Sequence, residues 1–409
     1  MSMRTHADTI IQAVLKASQP DEVVGQALAK RSFPHGRVLL LAIGKAAWQM
    51  ASCARSHLGD RVEAGIVITK YGHSKGHLPG CEIIEAGHPI PDANSCRGAE
   101  TALRMVSGLA PEDTVIFLVS GGGSALFELP LIPMDRLAQI TDCLLRNGAD
   151  IREINTVRKR FSAVKGGRFA KACAPAQVYS IILSDVLGDP LDMIASGPTV
   201  ADTSTKQEAI AICEKYGLEL SPEEWALLQK ETPKALPNSE AVISGSVRGL
   251  CEAASAICRE LGYRPTVLTD RLCCEAREAG SFLGSIAASH AGKGEKLAFI
   301  AGGETVVHVT GPGLGGRNQE LALGAAEQIA GCRNVLIFSL GSDGTDGPTD
   351  AAGGMVDGDT GKLLKQAGLS VSQVLKNNDA YHALQKIGGL IITGPTGTNV
   401  NDVSVALIQ

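Results

Sequence analysis

Aromatic side chains are scarce in this 409-residue chain, at 4% of the whole, and no run of about 18 apolar residues occurs anywhere in it. The first shortage leaves the core to Ala, Val, Ile and Leu; the second excludes a membrane-spanning helix and makes a membrane partner unexpected. The N-terminal stretch carries charges and lacks the apolar centre of a signal peptide, so a cytoplasmic location is expected. Lys and Arg nowhere gather into a basic stripe, and the formal charge is only −5, which argues against nucleic acid as a partner. A negatively charged small substrate would need a local cluster of cations and backbone N–H groups, because the overall field mildly repels it. Eleven cysteines are present without a single C-x-x-C pair. Buried free thiols are therefore the expected state, in preference to zinc ligands or disulfides. Neither H-E-x-x-H nor G-x-x-x-x-G-K-[ST] occurs, which removes zinc-protease and P-loop readings in their usual forms.

What is present is glycine, 47 residues of it, within a chain that is 44% apolar. Short apolar runs alternate with segments of helical period, the pattern of an α/β protein in which helices cross over a parallel sheet. The runs that read as strands are 37–42, 64–69, 81–85, 114–119, 178–183, 241–243, 266–268, 297–301, 335–340, 390–393 and 403–408, with 305–309 as the second strand of a hairpin. Helical periods cover 45–55, 94–106, 134–145, 154–173 (broken at Gly166-Gly167), 247–260, 275–291, 319–329 and 379–387. A chain of this length exceeds the usual reach of one core. The polar, proline-punctuated stretch 220–240 reads as a linker between a first domain, 1–219, and a second, 241–409.

In an open parallel sheet, ligands bind beyond the carboxyl ends of the strands, so the loops after the apolar runs are where chemistry belongs. Gly44-Lys45 lies at such a place, and a lysine there sets a compact positive charge beside a helix start; a solvated surface lysine is the plainer alternative. Ser120-Gly121-Gly122-Gly123-Ser124 follows VIFLV, and three successive glycines let several backbone N–H groups converge on one anion. Asp185 and Asp189 follow another strand, four residues apart, and suit a proton, a metal ion or mere capping. The stretch 311–320 holds a formal G-x-G-x-x-G (Gly311, Gly313, Gly316) with Gly315, Arg317 and Asn318 at the following helix, a weak dinucleotide signal on its own. Arg317 suits charge stabilisation on a transferred phosphoryl group equally well. Asp343 leads a loop rich in acids whose spacing fails the EF-hand pattern but offers a carboxylate to Mg²⁺. Arg158, Lys159, Arg160 and Lys165 fit a solvated face or an anion site, and His88 fits a turn or a substrate contact.

In order along the chain, LAIGKAA, EAGHPIPD, VSGGGSALFE, INTVRKRFSAVKGGRFA, SDVLGDPLDMIASGPT, GGETVVHVTGPGLGGRNQE, SLGSDGTDGPTDAAGG and GPTGTNVND resemble the MOFRL-containing glycerate kinases, over nearly the whole length. The resemblance implies a Rossmann-like first domain and a second α/β domain, with a MOFRL-like region at about 295–405 and the active site in the cleft between. It implies phosphorylation of D-glycerate at the 2-hydroxyl by ATP with Mg²⁺, and it assigns catalysis to Lys45, Asp185 and Arg317. Asp185 would take the hydroxyl proton or hold the metal. Gly44, Ser120, Gly121, Gly122, Gly123, Ser124, Asp189, Gly313, Gly315, Gly316 and Asn318 are the expected binding residues, with Asp343 a further metal ligand. Members of this family also carry the label hydroxypyruvate reductase, so an NAD(P)H-dependent reductase using the G-x-G-x-x-G is the second reading. A sugar-acid binding protein without catalysis is the third, disfavoured because binding alone does not need a strand-end acid beside two cations. Oligomeric state is left open, a homodimer being favoured on general grounds.

Overall fold

The computed structural model describes residues 2–33 and 36–409. It divides into two compact units, Val24–Ser244 and the pair of segments Met1–Val23 and Gly245–Gln409.

The first unit is built on six strands: β1 Val38–Ile43, β2 Val62–Lys70, β3 Cys81–Ala86, β4 Thr114–Val119, β5 Gln177–Leu183 and β6 Ser239–Gly245. Their order across the sheet is β3-β2-β1-β4-β5-β6, and the four pairings from β3 to β5 are parallel. This is the doubly wound order in which the chain reverses direction across the sheet between β1 and β4. Both of those strands are buried along their whole length, which is why they read as unbroken apolar runs with no alternation. Helices Ala47–Leu58 and Ala93–Met105 pack on the sheet, and Phe117, Phe127 and Phe169 meet with ring centroids 5.3 to 5.9 Å apart beneath the strand ends. A chain with few aromatics has concentrated three of them there. Helices Met134–Arg146, Ile151–Arg160, Lys206–Lys215 and Pro222–Leu228 share a separate apolar cluster.

The second sheet contains β7 Arg264–Leu272, β8 Leu297–Gly303, β9 Val335–Gly341, β10 Gly353–Asp357, β11 Leu390–Ile391 and β12 Asp402–Ile408, in the order β11-β10-β9-β12-β8-β7. It is mixed. The C-terminal strand β12 runs antiparallel to both β8 and β9, and β10 is antiparallel to β9, unlike the parallel pairings from β3 to β5 in the first unit.

Three further expectations change. The unit boundaries run elsewhere than 219 and 241: helix Met3–Ser18 packs on helix Val247–Glu260 of the second unit, and the stretch 220–240 belongs to the first. A capping box at Ser221 and Glu224 starts a helix within that stretch, and Arg136 holds Glu224 at 2.7 Å. Residues 305–309 form no strand; β12, brought from the far end of the chain, takes the place of the hairpin partner beside β8. Strand β10 opens on Gly353-Gly354, residues with low strand preference, and so carries little local strand signal. Glycine is needed there for close pairing, since a Cβ on Gly353 would lie 1.9 Å from the Ser339 carbonyl oxygen.

Candidate active site

The carboxyl ends of β1 and β4 lie side by side, and the turns leaving them are tied together. Gly44 adopts φ +114°, and a side chain there would collide with Ser120, whose Oγ would be 2.2 Å from the added Cβ. Ser120 Oγ accepts the Ala46 N–H at 3.0 Å, and the Lys45 N–H donates to the Gly121 carbonyl at 2.9 Å. The lysine and the triple glycine are thus parts of one structure at the point where the sheet reverses.

Side chains from three strand ends converge on those glycines. A Cβ on Gly121 would lie 2.3 Å from Asp185 Oδ2, beyond the end of β5. One on Gly122, which has φ +86°, would lie 3.1 Å from His88 Nε2, beyond β3, and 3.4 Å from Lys45 Cγ. Burial first, and then the charge of Lys45, lowers the His88 pKa below the usual histidine value, so a neutral imidazole faces the loop at neutral pH. Asp185 and Asp189 share an unusual stretch of backbone. Asp189, Ala195 and Ser196 all have φ between +50° and +61° without being glycine, a conformation that costs about 1 kcal/mol or more each and gathers at functional sites.

Ser124 closes the glycine loop, and its hydroxyl is oriented from behind. Ser196 Oγ donates to Asn155 Oδ1 at 2.9 Å, which commits its only proton. The proton in the 3.1 Å contact between Ser124 Oγ and Ser196 Oγ therefore belongs to Ser124, and what Ser124 retains for a ligand is acceptor capacity. The Lys165 ammonium, wholly buried, donates to the carbonyls of Ser124 and Phe127 at 2.8 and 3.1 Å. Burial pulls its pKa down to about 8 against the pull of nearby Glu128. Lys159 and Arg160 are buried too: Lys159 pairs with Asp202 at 2.9 Å and Asp192 at 3.3 Å, and Arg160 with Glu231 at 3.0 Å. Neither a solvated face nor an open anion site describes these cations, which hold the helix Ile151–Arg160 to its surroundings.

In the second unit, Arg317 opens the helix Arg317–Ala325. Its Nε and Nη2 donate to the two carboxylate oxygens of Asp402 at 2.6 and 3.1 Å, and Nη1 donates to Glu304 at 2.8 Å. Three donations of the five a guanidinium has leave two N–H groups for a ligand. Burial raises the Asp402 pKa to about 6 even though Arg317 opposes it; at the guanidinium, burial is outweighed by the bonds to Asp402 and the pKa rises. The two shifts pull the pair in opposite senses, and burial of the carboxyl is the one that governs Asp402. Asp343 lies near the same place, its Oδ1 accepting the Thr345 N–H at 3.1 Å and facing Gly341 beside Asp402.

The G-x-G-x-x-G has a different purpose from a dinucleotide loop. Added Cβ atoms on Gly311 and Gly313 would meet Asn377 backbone at 2.4 to 2.5 Å. At Gly316 they would meet the Asp346 carboxyl at 2.3 Å, and Gly315 also packs on the segment 378–380. Asp346, itself buried, accepts the Asn318 N–H at 3.1 Å and the Gln319 N–H at 2.9 Å. A carboxylate already fills the helix start where a pyrophosphate would sit. Asn318, only 1% exposed, accepts from Ser339 Oγ at 2.6 Å and so serves the loop's architecture in place of the nucleotide contact expected of it.

Residues 6–229 match a family model described as a domain of unknown function, DUF4147, and residues 297–402 match the MOFRL family. A D-glycerate 2-kinase from Thermotoga maritima is 50% identical over 100% of this chain and 99% of its own. A glycerate 2-kinase from Pyrococcus horikoshii is 44% identical over 91% and 88%. The crystal structure of a glycerate kinase from Thermotoga maritima superposes with a TM-score of 0.96 at 50% identity, covering 100% of this chain and 99% of that one. The chain belongs to the MOFRL-containing glycerate kinase family.

Within this glycerate kinase framework the structure draws Lys45, the Ser120–Ser124 loop and Asp185 together in one unit and sets Arg317 with Asp343 and Asp402 in the other. Asp402 ends the block GPTGTNVND but drew no role from the sequence, and Asp346 counted there only among the acids of the loop that begins with Asp343. His88 was an even choice between turn and contact, and the contact with Gly122 is what the structure adds. Gly72–Gly76 spells a formal G-x-S-x-G, but it joins β2 to β3 without an intervening helix, so no nucleophile elbow forms. Its Ser74 Oγ is used by the Gly76 N–H at 3.2 Å.

Proposed function

We propose that this chain transfers the γ-phosphoryl group of ATP to the 2-hydroxyl of D-glycerate. The observation that carries the reading is the meeting of Lys45, His88 and Asp185 on Gly121 and Gly122 at the switch point of the sheet. Full-length relatedness to D-glycerate 2-kinases supports it. Phosphoryl transfer asks a protein chiefly for positioning and charge neutralisation, plus an acceptor for the proton of the attacking hydroxyl. Asp185 is that acceptor: as the new O–P bond forms, the bond from the γ-phosphorus to the β,γ-bridging oxygen breaks and ADP leaves, while the glycerate O–H bond breaks and its proton passes to the Asp185 carboxylate. Lys45 braces phosphate oxygens, and neutral His88 orients the substrate without adding a competing cation. Arg317 offers its remaining N–H groups to transferred phosphate or to the glycerate carboxylate, held in place by Asp402 and Glu304. Among the described residues no group of three or more His, Cys, Asp or Glu side chains could hold a metal ion. Mg²⁺ asks for only one or two protein carboxylates and takes its other ligands from phosphate and water. Asp343, which faces Gly341 beside Asp402, is the carboxylate that would hold it, and bound there it would neutralise charge on the phosphates. Among the described residues no helix is long and apolar enough to cross a membrane.

The test is ADP release from ATP and Mg²⁺ with and without D-glycerate, set beside NADH and NADPH oxidation with hydroxypyruvate. Release that depends on glycerate, and that falls by about 10²- to 10⁴-fold in Asp185→Asn, is the expected outcome. Nicotinamide oxidation without ADP release would sink the reading.

A further inference from the structure

Of the eleven cysteines, Cys273 and Cys274 are the two that are exposed, and they are consecutive. They form the bend between β7 and the helix Ala276–His290. Cys173, Cys213, Cys251 and Cys258 are buried and inaccessible, and burial pushes their thiols up to about 12; burial raises Cys274 as well, but that thiol stays open to solvent. The bend is also sewn to the segment that steadies Arg317. The Glu304 N–H donates to the Leu272 carbonyl at 2.8 Å and the Val306 N–H to the Cys274 carbonyl at 3.0 Å. The Ala276 N–H in turn donates to Val306 at 2.8 Å. There is no slack in this seam, because a Cβ on Gly303 would lie 2.1 Å from the Leu272 carbonyl oxygen. Glu304, whose own amide is the first of these bonded groups, accepts from Arg317 Nη1 at 2.8 Å.

We propose that Cys273 and Cys274 form a dithiol site that chelates one thiophilic trivalent atom, arsenic(III) being the chemical class, and that filling it disturbs the Glu304–Arg317 contact. Consecutive Cα atoms are about 3.8 Å apart, closer than the roughly 4.4–6.8 Å that an unstrained disulfide requires. A direct S–S bond is therefore disfavoured, whereas two sulfurs joined through a larger third atom close a roomier ring. With an organic arsenoxide, two S–As bonds form, the As=O bond breaks, and the two thiol protons leave with the oxygen as water; nothing is oxidised or reduced. The ring turns both sulfurs toward one atom, and the backbone that must follow carries the Leu272 and Cys274 carbonyls, the acceptors of the Glu304 and Val306 amides. The chelation stands by itself, while its effect on catalysis rests on the role proposed for Arg317.

The full-length protein is treated with one equivalent of phenylarsine oxide, washed with a monothiol, and weighed intact. One phenylarsenic group per chain is expected, absent from Cys273→Ser and from Cys274→Ser and removed by 2,3-dimercaptopropanol. Glycerate-dependent ADP release should fall by about fivefold or more in the treated protein and stay unchanged in both treated variants. Hydrogen exchange should quicken at the Glu304 and Val306 amides. An adduct kept by both variants, or none on the parent protein, overturns the site. An adduct with exchange unaltered at both amides overturns the coupling. If glycerate phosphorylation is absent from the untreated protein, the functional reading fails alone, because mass and exchange still decide this one.

Discussion

Two glycine-rich loops precede helices in this protein, and they differ in what their missing Cβ atoms make room for. Around Gly121 and Gly122 the space holds the ends of side chains from other strands, Asp185, His88 and Lys45. Around Gly311 and Gly313 it holds the main chain of residues 377 and 378, and around Gly316 the buried carboxyl of Asp346. The first loop follows a fully buried strand at the reversal of a parallel sheet; the second follows a stretch that is no strand. A glycine pattern in a sequence reports close approach, and only the fold says whether a ligand-facing side chain or a neighbouring backbone is approaching.

The comparison breaks most sharply with two matched substitutions. In Gly121→Ala the new methyl meets a flexible carboxylate, so Asp185 is displaced while the fold stands. A misplacement on the scale of 1 Å costs about 10²-fold in kcat, and the melting temperature should hardly move. In Gly313→Ala the methyl meets Asn377 carbonyl oxygen at 2.4 Å, backbone that cannot rotate away. Stability should drop by about 1–3 kcal/mol, with much the smaller effect on kcat. Steady-state kinetics and thermal denaturation of both variants check this; equal kinetic losses would erase the distinction between the loops.

The first unit was legible because its central strands β1, β4 and β5 are apolar runs buried on both faces, and its functional loops lie where a parallel sheet puts them. Lys45, Ser120–Ser124 and Asp185 could be nominated from strand ends alone. The second unit was less so. Val306 and Val309 are apolar yet exposed, so a run that reads as a strand is none, and β12 reaches its place beside β8 from a hundred residues away, a pairing no local pattern encodes. Arg158, Lys159, Arg160 and Lys165 illustrate a different difficulty. Their partners Glu128, Asp192, Asp202 and Glu231 are scattered along the chain, and without the pairing a buried cation and a solvated one look the same. Asp346 was hidden likewise, because the helix start it caps lies 27 residues earlier.

A smaller effect sharpens what the glycine loop of the first unit presents. If Ser196 commits its proton to Asn155, Ser124 offers an acceptor, suited to a substrate hydroxyl. Asn155→Leu frees the Ser196 proton to turn toward Ser124 and cancels that preference. Ser124→Ala removes the group. Each should raise the KM for glycerate by about tenfold, the worth of one hydrogen bond of roughly 1.4 kcal/mol. The double variant should be no worse than either alone, because both act through one hydroxyl. Additive losses would show that Asn155 and Ser124 work separately.

In the second unit the corresponding device is a charge, and it answers to pH. Burial raises Asp402 to about 6 in the folded protein, against about 3.9 for an unperturbed aspartate. The folded state then binds the proton more tightly than the unfolded chain, so this group's contribution to stability is complete below the unfolded value and is lost as pH rises through 6. Asp402→Asn deletes the titration. The stability of the parent protein relative to the variant should therefore increase as pH falls from 7 to 4, by on the order of 1–3 kcal/mol, as read from denaturant midpoints at matched pH. Contributions from the other acids cancel in that difference. A difference that shrinks as pH falls would mean that the bidentate bond from Arg317, and not burial, governs the carboxyl, and Arg317 would then be held by its partner more firmly than a residue serving a ligand should be.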